Sequence, residues 1–162
     1  MIRIERDNPG RADVQQLLSE HLADMFATSP AESVHALDSA ALSGPDITFW
    51  SAREDSEVLG CGALKLLEHS EAGTMQGEIK SMRTATHARR RGIGALLLTH
   101  ILAEARHMGY RRLYLETGSQ DFFAPARRLY QRHGFDFCPP FAGYGDDPNS
   151  SFMTLALDPI RP

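Results

Sequence analysis

Two short segments carry residue types that do chemistry at informative spacings. Arg89-Arg90-Arg91-Gly92-Ile93-Gly94 sets three guanidinium groups in front of two glycines, and a long apolar run follows. Glycines let backbone N–H groups approach an anion closely, and a helix that starts there adds about half a positive charge at its N-terminus. The chemistry implied is the grip of a compact anion such as a diphosphate. Rival glycine motifs are missing: no Gly-x-Gly-x-x-Gly opens the chain, and no Gly-Lys-Ser/Thr follows the glycines. The second segment is Leu129-Tyr130-Gln131-Arg132-His133-Gly134-Phe135, a phenol near the end of a helical pattern with a glycine where a C-terminal cap belongs. Glu78 and Glu116 stand in strand-like stretches nearby in sequence and are the carboxylates available for proton transfer.

These residues need elements to position them. Ile2 to Glu5 alternates as a short strand, and Asn8-Pro9 offers a cap and first-turn proline for a helix whose stripe is Val14, Leu17, Leu18, His21, Leu22 and Met25. Ser29-Pro30 ends it, and a second short helix is expected over about Ala31 to Leu42. Ile47 to Ala52 and Val58 to Leu67 read as an antiparallel hairpin about a turn at Glu54 to Ser56, and a loop over His69 to Thr74 leads to a strand at Met75 to Arg83. Gly92 to His107 is an amphipathic helix with Ile93, Leu96, Leu97, Ile101, Leu102 and Ala105 on one side, ended by Gly109. Strand Arg111 to Thr117, a helix opened by Pro125, and strands Phe135 to Cys138 and Phe152 to Leu157 complete the chain. The order predicts one α/β domain over residues 1–162, a mixed sheet with helices on both faces.

Arg89-x-x-Gly92-x-Gly94 after a strand and a short loop resembles the pyrophosphate motif of the GNAT N-acetyltransferase superfamily, and the Tyr130 to Phe135 segment matches that family's second signature. The resemblance covers about Gly77 to Cys138; outside it only the order of elements agrees. It implies the GNAT acyl-CoA N-acyltransferase fold, a central mixed and mostly antiparallel sheet flanked by helices. It also implies acetyl-CoA as cosubstrate, with the diphosphate held by Arg89, Arg90, Arg91, Gly92, Ile93, Gly94 and Ala95. Met82, Arg83 and Thr84 would lie along the pantetheine arm, with the Met82 N–H polarising the thioester carbonyl, and Ser119 and Phe122 would touch the arm from the other side. Tyr130 would protonate the departing thiolate. Glu78 is the first candidate base for the incoming amine and Glu116 the second, each acting directly or through water. Thr84-Ala85-Thr86-His87 departs from the proline or small residue that relatives often carry in this stretch.

By the same resemblance, the acceptor pocket is bounded by Ser29 to Leu37 and Pro139 to Asn149. His35, Trp50 and Tyr144 are its candidate walls, Asp146 and Asp147 candidate attractors of a cationic amine, and Arg83 a candidate partner for an acceptor carboxylate. The expected activity is direct transfer of acetyl from acetyl-CoA to the primary amine of a small molecule or peptide. The competing reading is a non-catalytic acyl-CoA sensor, in which Tyr130 is structural. Many relatives pair as homodimers.

Composition bounds the remaining classes. The chain has 162 residues, 42% hydrophobic and 23% charged, which excludes collagen-like, coiled-coil and wholly disordered chains. Residues 1–80 hold 6 Lys/Arg against 14 Asp/Glu, whereas residues 81–162 hold 11 against 7. An acidic first half argues against a nucleic-acid partner, and a basic second half suits a phosphorylated cofactor. Ile93 to Ala105 is broken by Thr99, His100 and Glu104 and falls short of the ~20 residues of a membrane span. The charged start lacks the apolar run of a signal peptide, so a cytoplasmic protein is expected. Cys61 and Cys138 lack metal-site spacing; reduced core thiols and no bound metal are expected.

Overall fold

A computed structural model describes residues 1–34, 40–67 and 74–158. Strand β1 (Arg3–Arg6) is followed by helix α1 (Ala12–Thr28), then by the strands β2 (Ile47–Glu54), β3 (Glu57–Leu66) and β4 (Met75–Thr84). Helix α2 (Ile93–Met108), strand β5 (Tyr110–Gly118), helix α3 (Ala124–Arg132) and strands β6 (Asp136–Phe137) and β7 (Ser150–Ala156) follow. One seven-stranded sheet runs β1-β2-β3-β4-β5-β7-β6. Only β4 and β5 are parallel; every other neighbour pair is antiparallel. That is the expected mixed sheet.

The β2–β3 hairpin turns at Asp55 and Ser56, with φ of 49° and 72°, the left-handed pair that matches strand twist. Phe49 and Trp50 are successive in β2 and therefore face opposite sides. Phe49 packs with Val14, Leu17 and Leu18 of α1, and Trp50 with Leu98, Ile101 and Leu102 of α2, so apolar cores cover both faces. Among the described residues no helix is long and apolar enough to cross a membrane.

Several local expectations change. Asn8 does not cap α1; its side chain accepts from Gly10 N–H, and the helix begins three residues later than the cap would place it, after Arg11. The expected second helix appears in the described residues as two short 3-10 turns, Ala31–Ser33 and Ala41–Ser43, and its middle lies outside them. Most of the loop expected over His69 to Thr74 lies outside them too. On α2 it is Leu98 that is buried, whereas Leu96 is 45% exposed, because the stripe turns with the 3.6-residue period. Both cysteines are free; Cys61 is buried and Cys138 partly exposed.

The feature that makes the site is a parting of the sheet. β4 and β5 pair from Met75↔Tyr110 only as far as Ile79↔Leu115, although both strands run on. Beyond that point β4 stays with β3, and β5 stays with β7 up to Gly118↔Ser150. A bulge in β4 opposite Gly62 drives the split: the register jumps between Cys61↔Arg83 and Ala63↔Lys80, and Ser81 sits at φ 56°. The absence of a side chain at Gly62 leaves room for the ends of Met82 and Ile101, since a Cβ there would lie 2.8 Å from Ile101 Cδ1 and against the sulfur of Met82, so both side chains would have to shift.

Candidate active site

Below the split lies a cleft of about 580 Å³. Its floor on β4 is Met82, Arg83 and Thr84; its basic end is Arg89, Arg90 and the first turn of α2 from Gly92 to Ala95; Phe122 and Tyr130 form the far wall. Arg90 and Gly92 both take left-handed backbone, φ 67° and 75°, which swings the chain from β4 into the helix. The first helical bond runs from Leu96 N–H to Gly92 O, and no side chain caps the end. The N–H groups of Ile93, Gly94 and Ala95 are therefore unspent by the helix and open to an anion.

Three of the expected cofactor residues behave differently. Arg91 turns away from the cleft and donates to Glu54 Oε1 at 2.9 Å, because the left-handed step at Arg90 sends successive side chains apart. Ser119 is not on the cleft wall; its hydroxyl donates to Pro148 O at 2.6 Å and fastens the end of β5 to the loop before β7. Arg83 lines the cleft but is buried and ion-paired with Asp24 of α1, which also lies 3.8 Å from Arg89. One carboxylate thus faces two guanidiniums, so this end of the cleft keeps a net positive charge.

The cleft opens into a smaller chamber of about 100 Å³ on the β4–β5 strand ends. Met82 and Tyr130 line both spaces, and Glu78, Lys80, Glu116 and Thr117 line the chamber alone. The two candidate carboxylates differ sharply. Glu78 Oε2 accepts from the Tyr144 hydroxyl at 2.6 Å and from Lys80 Nζ at 3.1 Å. Burial raises the Glu116 carboxyl to about 7, with the Ser150 hydroxyl and then Lys80 pulling it down and Glu78 and Asp147 adding to the rise. The Tyr130 phenol is pushed above its usual range by burial first and by the charge of Glu116 second, so it holds its proton at neutral pH. Its ring meets Phe135 edge-on at 5.7 Å.

Among the candidate acceptor-pocket residues, Tyr144 sits against Phe141 and Phe152 and reaches Glu78. Trp50 does not wall a pocket: it is fully buried and meets His100 edge-on at 6.3 Å, since its place in β2 turns it toward α2. His35 lies outside the described residues. Asp147 accepts from Ser33, and Asp146 is exposed beside it. A larger hollow of about 880 Å³, between Lys65 and Pro140, holds none of the expected catalytic or cofactor residues.

Sequence reasoning left His21 unassigned. It lines both cleft and chamber, and burial, helped by the charge of Arg83 and opposed by Asp24, lowers its imidazole to about 4. The available signal was a titratable residue inside the apolar stripe of α1. Lys80 was also overlooked; a lysine amid an otherwise half-buried strand was its mark.

With the geometry in place, the comparisons are concordant. The sequence profile described as the Acetyltransferase (GNAT) family matches residues 14–135. The chain is 51% identical to the uncharacterized N-acetyltransferase YsnE of Bacillus subtilis over 96% of its own length and 100% of that protein's. It is 41% identical to an IAA acetyltransferase of Azospirillum brasilense, over 96% of this chain and 98% of that one. A putative acyl-CoA N-acyltransferase from Klebsiella pneumoniae superposes with a TM-score of 0.77 at 29% identity, covering 98% of this chain and 99% of that chain. The family profile, covering most of the chain, and these relatives agree, and the chain belongs to the GNAT family of acetyltransferases.

Proposed function

We propose that the protein transfers acetyl from acetyl-CoA to the primary amine of a small molecule or peptide by direct attack. The observation that carries this reading is the shared wall: Met82 and Tyr130 border both the anion-binding cleft and the carboxylate chamber, so donor and acceptor meet where the sheet parts. Relatives named as acetyltransferases support acetyl as the transferred group.

The diphosphate would lie on the Ile93, Gly94 and Ala95 amides, with Arg89 and Arg90 beside it. The Met82 N–H would polarise the thioester carbonyl as charge develops on its oxygen. An amine near pKa 10.4 arrives protonated and must lose a proton before it attacks. Glu116 is the better base, because a carboxyl near 7 is matched to that task while Glu78 is engaged by Lys80 and Tyr144. The nitrogen bonds to the carbonyl carbon and sheds its second proton to solvent, the C–S bond breaks, the thiolate takes the Tyr130 proton, and solvent returns a proton to the tyrosinate. Amide and free coenzyme A leave.

The test is coenzyme A release from acetyl-CoA across amino acids, polyamines, amino sugars and peptides, paired with calorimetry of acetyl-CoA. Binding with amine-dependent release is expected. No binding of either coenzyme A or acetyl-CoA would overturn the assignment.

A further inference from the structure

We infer that His21 is a further catalytic residue, its imidazole N–H donating a hydrogen bond to the thioester carbonyl oxygen beside the Met82 amide; the inference rests on the transferase reading above. On that reading the carbonyl lies where the donor cleft opens into the chamber. The residues that border both spaces are His21, Met25, Met82, Phe123, Ala126 and Tyr130. Only His21 and Tyr130 among them have a side chain with an N–H or O–H to give. The Tyr130 proton is directed to the sulfur, which leaves the imidazole for the oxygen.

The surroundings of this corner point the same way. His21 stands in the apolar stripe of α1, one turn after the buried Leu17 and Leu18, yet its ring has no hydrogen-bond partner among the described residues. A leucine would serve packing there, and a polar ring with nothing to bond is kept at a cost. Ser81 Oγ and Arg83 Nε, on either side of Met82 in β4, are buried and also without a partner. Ser81 borders the chamber and Arg83 the cleft. Unpaired polar atoms gathered along one cavity wall mark a place that a ligand's own polar atoms complete. The electrostatics suit an oxygen that gains negative charge. Burial and then the charge of Arg83 keep the imidazole neutral, against the pull of Asp24. A neutral ring offers one N–H and retains its proton throughout the reaction, so nothing has to be returned to it. Arg83 and Arg89 share the one carboxylate of Asp24, and their excess positive charge favours the anionic oxygen over the neutral carbonyl.

The experiment measures amine-dependent coenzyme A release and acetyl-CoA calorimetry for the wild type, His21→Leu and His21→Gln. His21→Leu should lower kcat about 100-fold, the usual loss for one donor to a developing oxyanion, with acetyl-CoA affinity and amine KM within about threefold. His21→Gln keeps an N–H donor and should recover about tenfold of that loss. A packing role predicts the reverse order, since leucine suits the stripe better than glutamine. The rise in rate near pH 7 should stay in place in both variants, because His21 titrates well below it. A kcat for His21→Leu equal to that of the wild type, or glutamine no better than leucine, would overturn the inference. Should either variant not fold, the wild type decides: acetyl-CoA should protect the His21 ring N–H from exchange in proton NMR, and a ring left unprotected would overturn it. A wild type that binds acetyl-CoA but releases nothing with any amine would bring down the transferase reading itself, a failure distinct from these.

Discussion

Tyr130 and Glu116 are shaped by one circumstance, burial beside a shared cavity wall, and it suits the opposite roles proposed for them: the phenol keeps its proton, as a proton donor must, and the carboxyl sits near 7, where a base is useful. Tyr130→Phe should lower kcat about 100-fold with acetyl-CoA affinity within about twofold, measured by steady-state kinetics and calorimetry. The rate should climb as pH rises through about 7, where Glu116 ionises, and Glu116→Gln should abolish that limb along with most of the activity. Stability carries the complementary sign. Because folding raises the Glu116 pKa from 4.5 to about 7, the folded chain binds the extra proton between those values, and its stability falls as pH rises across them. Glu116→Gln should therefore be more stable than wild type above pH 7, by on the order of 2 kcal/mol in urea unfolding, with the gap closing below about pH 4.5. At this scale the arginine–glycine run was legible, because a local segment builds its own anion site. The difference between Glu78 and Glu116 was not, since it depends on Tyr144, Lys80 and burial from segments distant in sequence. Trp50 was misassigned because a single residue of strand phase decides which face an indole joins.

Elements hold these groups through a few close approaches. Gly118 ends β5 where a Cβ would collide with the ring of Phe123, a residue on the walls of both cleft and chamber. Gly118→Ala should cost ~2 kcal/mol in chemical unfolding and reduce turnover by displacing that ring. Gly92 shows the contrasting case: nothing lies within 4 Å of a Cβ there, so its requirement is the left-handed backbone alone. Element types and order were readable from periodicity and from glycines and proline at helix ends. The split of β4 from β5 was not, because the bulge at Ser81 rests on register against β3 and on the space that Gly62 leaves for Met82 and Ile101. The start of α1 was misplaced because Asn8 spends its side chain in its own turn.

Across the whole molecule, charge is used very unevenly. Arg53 is 2% exposed and joins β2 to the loop after β1 and to the first turn of α1, meeting Asp7 at 2.9 Å and Asp13 at 2.7 Å. Burial raises the Asp7 carboxyl, but its hydrogen bond from Ser51 and its contacts with Arg53 hold it below the usual range overall. Arg53→Met should lower unfolding stability by about 3 kcal/mol, since it strands a buried carboxylate. Arg91→Met, which breaks a pair that is about two-fifths exposed on the arginine side, should leave unfolding stability nearly unchanged. The parting of the sheet has a mechanical corollary. Past Ile79 and Leu115 strands β4 and β5 share no ladder, so the proposed donor, lodged in the gap, would be a keystone as much as a reagent. On that reading amide exchange along Lys80 to Thr84 and Glu116 to Gly118 should slow when acetyl-CoA is added, and the heat tolerance of the protein should rise with its concentration.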